Sequence, residues 1–315
     1  MEAQSDMLKL ERTNFVEDYP VDVTKDYFES NAIHTIIAYN LGKFFINAVK
    51  FRPVLKELLT GLAQENLSLE NEIMQLNKLY KTFKGEYGGT FHDLSQNNMS
   101  RKKSQVLSFE SMTVIGKVDD YTDDKHISIE KKSEVLDGFL YTLETGKKQT
   151  YDSADLTIAN IIGSNMHNKI KRSKQFPLFY ESWKSLTGVV KDRIKGDDSL
   201  ENSIKMGYRT SATLGLIPFL ENNSVPSHII KSSGFFGSYA QILDDLADAK
   251  IDEADGVKTF AVSNSVPMDY AMKKAQEYFS SALELVDKKG KATYHMLNLF
   301  RHLDTIHNNM KIKYS

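Results

Sequence analysis

A helical apolar rhythm, rarely broken by turn residues, restricts this chain more than any other feature. In 31–62 the apolar residues Ile33, Ile36, Ile37, Leu41, Phe44, Phe45, Ala48 and Val49 recur at three- and four-residue steps, the spacing that lines one face of an α-helix. Only 6 prolines and 17 glycines are spread over the 315 residues, leaving long intervals without the punctuation a turn-dense β architecture needs. The same rhythm predicts helices over 69–83, 106–124, 130–143, 154–169, 177–195, 200–221, 226–249, 267–288 and 292–311. The first segment bends or restarts near Pro53, and the polar run 85–103, with its paired glycines and asparagines, reads as a loop. No sustained polar–apolar alternation demands a sheet, and no internal repeat is present. The expected fold class is all-α, a single helical domain over 1–315 with 1–30 as a peripheral segment.

Charge and composition remove several functional classes. Forty basic residues against 42 acidic ones give a net charge of −2, so no bulk field draws the chain to nucleic acid or an anionic bilayer. An anionic ligand has to be captured locally. The lack of cysteine excludes disulfides, thiolate metal sites and a cysteine nucleophile. The charged N-terminal residues lack the apolar core of a secretory signal, and no run of about 18 apolar residues is long enough to span a membrane. A cytoplasmic location without a spanning segment is expected.

Two acidic clusters stand out. In the first, Asp119, Asp120, Asp123 and Asp124 fall within six residues after an apolar stretch. On a helix Asp119 shares a face with Asp123, and Asp120 with Asp124. Such like-charged pairs destabilise a helix by about 0.2–0.5 kcal/mol each, which divalent metal would offset. In the second, Asp244, Asp245 and Asp248 follow the apolar Phe235, Phe236, Tyr239 and Ala240, and Asp252 continues the four-residue step. Oxygen donors without His or Cys suit Mg²⁺, which keeps waters and takes substrate phosphates as ligands. A solvated acidic helix end is the ordinary reading of either cluster alone. Two of them, each after an apolar segment and about 120 residues apart, favour a shared role. His295, His302 and His307 lie at steps of seven and five, too far apart for a tight metal pair, and read as structural or surface residues.

The stretch from Tyr208 to Gly215, then Gly237 to Asp248, then Asp255-Gly256-Val257-Lys258, resembles the trans-isoprenyl diphosphate synthase family. The first cluster, followed by Lys131, Leu136 and Leu143, is more similar to the squalene and phytoene synthase branch of the same superfamily. The likeness spans roughly 114–260. It implies the isoprenoid synthase fold, an antiparallel helical bundle around a central apolar cavity with both aspartate motifs at its mouth. By matching position, Asp119, Asp120, Asp123, Asp244, Asp245 and Asp248 would bind Mg²⁺, three ions with substrate present. Gln241 would lie beside the metals, and Arg209 and Lys258 would hold diphosphate oxygens.

Departures matter as well. The elongases' N-terminal Gly-Lys-Arg is here Gly42-Lys43-Phe44, and the two arginines after the first motif are replaced by a segment running from Lys125 to Lys132. That loss favours a one-substrate terpene cyclase acting on a farnesyl, geranylgeranyl or longer diphosphate. The asparagine-serine-glutamate triad of bacterial cyclases is absent too, its place taken by aspartates. Asp119, Asp120, Asp244 and Arg209 are then the expected catalytic residues, with Tyr208, Phe235, Phe236 and Tyr239 as cavity wall. Aromatic faces of this kind stabilise a passing cation by about 0.5–2 kcal/mol each, although core packing is the commoner role of such rings. The alternatives are a two-substrate prenyltransferase, elongating or head-to-head, a silent helical partner subunit, and an unrelated helical binding protein with acidic patches. The implied partner is a prenyl diphosphate, and homodimerisation is common in the family.

Overall fold

The computed structural model describes residues 101–151 and 153–285, all within the compact unit Phe51–Ser315. The helices expected over 31–62, 69–83 and 292–311, the three histidines of the last, and the segment 1–30 lie outside the described residues.

Among the described residues the regular structure is wholly helical, as the apolar rhythm predicts. The elements are α1 (Arg101–Asp123), α2 (Ile129–Thr145), α3 (Ala154–Ile170), α4 (Phe176–Ile194), α5 (Leu200–Leu216), a 3₁₀ turn (Ile217–Phe219), α6 (Ser227–Asp255) and α7 (Met268–Glu284). Three boundaries differ from expectation for identifiable reasons. Residues 101–103, placed in the polar loop by their charge, begin α1; lysine and arginine are good helix formers, and charge alone does not end a helix. Helix α5 stops at Leu216 instead of continuing to 221, because Pro218 lacks an N–H and forces the 3₁₀ turn. Helix α6 runs six residues past the expected 249, since no breaker intervenes before Gly256, which caps it at φ 78°.

Local capping chemistry sets other ends. Ser128 accepts the Lys131 N–H at the start of α2, and Ser199 accepts that of Asn202 at the start of α5. Gly146, at φ 73°, closes α2 with its N–H on the Thr142 carbonyl at 2.8 Å. Helix α6 packs along α5 and α7, α5 against α4, α1 against α3, and α2 against α3 and α4. Phe139, Phe179 and Trp183 form an edge-to-face cluster where α2 meets α4, with Phe139 and Trp183 centroids 5.0 Å apart. Burying a side chain of this size stabilises by about 1.5–3 kcal/mol. Asn160 on α3 accepts the Thr142 hydroxyl at 2.8 Å and the Gln149 N–H at 3.2 Å, fastening the loop after α2 to the bundle. No helix among the described residues is long and apolar enough to cross a membrane.

Candidate functional site

Both acidic helices run toward one open cavity of about 230 Å³. Asp119, Thr122 and Asp123 face it from the end of α1, and Gly256, Val257 and Lys258 from just past α6. Lys125, Ile129 and Lys132 contribute the segment after α1; Val190, Arg193, Ile194, Lys195 and Gly196 the end of α4; and Met206 a patch of α5. The ends of α1 and α6 are neighbours: a Cβ placed on Gly256 would lie 3.6 Å from Lys125 Cδ.

The carboxylates of the two clusters act on one another. Burial pushes Asp119 up to about 7, helped by Asp123 and, from the other cluster, Asp244. Burial likewise raises Asp244 to about 7, with Asp248 and Asp245 adding to it. Asp123 and Asp245 are also raised, first by burial, and Asp245 from α6 contributes to the shift of Asp123. The Asp119 and Asp244 residues nevertheless present open surface to water. Exposure to that extent leaves the direction of the shift standing while solvent screening limits its energy.

One cation counters the whole group. Arg193, half-buried in the last turn of α4, lowers Asp119, Asp123, Asp244, Asp245 and Asp252 against the other influences. Its Nη1 reaches Met206 Sδ at 3.6 Å. Just beyond, Asp197 accepts the Ser199 hydroxyl at 2.6 Å and the Asn202 amide at 3.3 Å, ordering the turn that joins α4 to α5.

The predicted site residues separate into three groups. Asp119, Asp123 and Lys258 come together at the cavity, and Asp244 couples to Asp119 from α6. Asp245 instead turns into the core, where its Oδ1 accepts Gln241 Nε2 at 2.9 Å and the Ser203 hydroxyl also holds its carboxyl down against burial. Asp120 points away from the cavity, 3.7 Å from Lys117 Nζ, and Asp248 is exposed. Arg209 is exposed as well, its Cζ 5.8 Å from the centroid of the Tyr208 ring, and it does not line the cavity. The four aromatics expected as wall do not line it either. Tyr208 packs on Phe235 and Phe235 on Tyr278, while Tyr239 packs on Phe236 and on Phe279. Val190, Ile194, Met206, Val257 and Ile129 supply its apolar surface instead.

Sequence reasoning missed Arg193 and gave Asp252 no site role. Asp252 is pushed up to about 6, first by burial and then by Asp245, and it feels Asp123 across the gap. Its signal was present in the four-residue step from Asp244 through Asp248. Arg193 carried none, for it lies about 50 residues from the second cluster and in no motif with it.

Among the described residues no three acidic or histidine side chains converge to hold one ion. Mg²⁺ does not require such a cage, because it keeps waters and phosphate oxygens as ligands and takes one or two carboxylates. A donor set of aspartates alone, mutually repelling and held by one guanidinium, fits that ion in chemistry.

No family model and no curated protein matches the sequence. Among solved structures the chain is similar to a cucumene synthase variant, at 13% identity and a TM-score of 0.48, with 80% of this chain and 89% of that chain covered. A likeness that distant carries no statement about activity.

Proposed function

We propose that this chain is a class I isoprenoid enzyme, a terpene synthase that ionises an allylic prenyl diphosphate and releases diphosphate. One observation carries the proposal: carboxylates from α1 and α6 act on each other and on a shared Arg193 beside a cavity with a lysine rim. Mutual repulsion of this kind is relieved by divalent cations, and lysines beside it offer counter-charge to a polyanion that arrives with them.

Asp119 and Asp123 from one side and Asp244 and Asp248 from the other would hold Mg²⁺, and Asp252 extends the second set. Bound Mg²⁺ would neutralise the diphosphate oxygens as the allylic carbon–oxygen bond breaks. Arg193 presents a guanidinium fork suited to two diphosphate oxygens, with Lys258 and Lys195 beside it on the rim. Val190, Ile194, Met206 and Val257 keep water from part of the wall. Gln241, one turn earlier on α6, holds the Asp245 carboxyl beside Asp244 and Asp248. In this proposal the bundle is of the isoprenoid synthase type, with α1 and α6 as its two aspartate helices.

Lys125 and Lys132 favour a second reading. They occupy the segment where elongases carry two arginines, and both line the cavity, so an acceptor's diphosphate would find cations there. The test is incubation of the purified chain with Mg²⁺ and geranyl, farnesyl or geranylgeranyl diphosphate, each with and without isopentenyl diphosphate, followed by mass spectrometry. A hydrocarbon or alcohol from one diphosphate is expected. Longer diphosphates formed only with isopentenyl diphosphate would establish the two-substrate enzyme, and no consumption of any substrate would remove both.

A further inference from the structure

Lys117 is fully buried in the described core, with no exposed surface. A buried ammonium needs counter-charge, and breaking a buried pair is strongly destabilising. The nearest described counter-charge is Asp155 in the first turn of α3, whose Oδ1 accepts the Lys117 Nζ at 2.6 Å. The pair therefore pins the C-terminal half of α1 to the start of α3. Asp120 Oδ2 lies 3.7 Å from the same ammonium, with a well exposed side chain.

Helix geometry turns this into a sorting device. At about 100° per residue, Asp119 and Asp123 differ by about 40° around α1, and Lys117 and Asp120 by about 60°. The mean directions of the two pairs are about 110° apart. With Lys117 locked on Asp155, α1 cannot roll to bring Asp120 to the cavity without withdrawing the buried ammonium from its partner. The cavity lining agrees, since it includes Asp119 and Asp123 but not Asp120.

We infer that Lys117 and Asp155 are positioning residues that present Asp119 and Asp123 to divalent metal and retain Asp120 as a counter-ion. This rests on the proposed metal–diphosphate site, and its test separates the two claims. Mn²⁺ binding to the full chain in the presence of inorganic diphosphate is followed by electron paramagnetic resonance well below the unfolding temperature. D120N should bind Mn²⁺ within about threefold of the parent, whereas D119N and D155N each weaken it at least tenfold and Asp155→Glu restores it. Thermal unfolding of K117M, D155N and the double variant should be strongly non-additive, because either change alone breaks the same pair. Equal loss of Mn²⁺ affinity in D120N and D119N would overturn the sorting role, as would parent-like affinity in D155N. If the parent binds no Mn²⁺ with diphosphate, the functional proposal falls. The unfolding cycle then still decides whether Lys117 and Asp155 form the pin, and additivity there would refute it.

Discussion

Replacing Gly207 by alanine tests whether the close approach of α5 and α6 holds the second acidic cluster in place. A Cβ at Gly207 would lie 2.2 Å from the Gly237 carbonyl oxygen and 2.6 Å from Gln241 Cβ. The contact is reciprocal, because a Cβ at Gly237 would lie 2.1 Å from the Gly207 oxygen. Neither obstacle is a rotatable side-chain end, so the helices must part by about 0.8 Å to reach even 3.0 Å. Overpacking against a rigid neighbour costs about 1–3 kcal/mol or more, and the better helix propensity of alanine returns about 1 kcal/mol. At the upper end of that cost, a net loss of about 2 kcal/mol lowers the melting temperature by roughly 3 °C in a chain of 315 residues. Gln241 is the second group struck and it bonds Asp245, so Mg²⁺-dependent turnover should fall in the same variant at temperatures where it remains folded. Gly188→Ala is the control: nothing lies within 4 Å of where its added methyl would sit on α4, and it should be neutral or stabilising by up to about 1 kcal/mol. Differential scanning calorimetry of the two variants beside the parent decides the matter. A Gly207→Ala protein as stable as the parent, or a matching loss in Gly188→Ala, would refute the close-packing argument.

Arg193→Met should weaken inorganic diphosphate binding with Mg²⁺ by about 10- to 100-fold, the range for a charge-assisted hydrogen bond, while Arg209→Met should change it less than threefold; isothermal calorimetry checks both. The raised carboxyls also set a pH dependence. Asp119 and Asp244 move from 3.8 to about 7 and Asp252 to about 6 in the folded chain. A raised carboxyl means that the folded state binds more protons than the unfolded one between those values, so folding loses stability as pH rises from about 4 to 7. The metal-free chain should therefore melt at a higher temperature at pH 5.5 than at pH 8, and Mg²⁺ with inorganic diphosphate should stabilise it more at pH 8, with protons released on binding at lower pH. Melting that is higher at pH 8 without metal would contradict the crowding of these carboxylates.

Much of the helical frame is legible in the sequence because helix faces and stops are local properties. The apolar steps in 130–143 and 154–169 locate α2 and α3 to within two residues, with Ser128 and Gly146 acting through their own backbone neighbours. Pro218 is visible too, but its effect on α5 is larger than the apolar pattern alone suggests. The first acidic cluster is legible only as a set. Which of its members face the cavity depends on the rotation of α1, and that is decided by Lys117 meeting Asp155, 38 residues away. The aromatics from Tyr208 to Tyr239 are not at the cavity described here, because a ring beside an acidic motif in sequence packs wherever helix contacts bury it, here against Tyr278 and Phe279 of α7.

By itself the sequence determined the helical character of the described residues, the places where most described helices begin, and the chemistry of its acidic residues, hard oxygen donors at four-residue spacing. These follow from interactions within one or two helical turns. Tertiary structure alone decided that the two clusters act on each other, that Arg193 counters both, and that Asp245 and Asp120 turn away from the cavity while Asp119 and Asp123 face it. Such facts depend on how helices distant in sequence are rotated and packed against each other, and local spacing does not encode that.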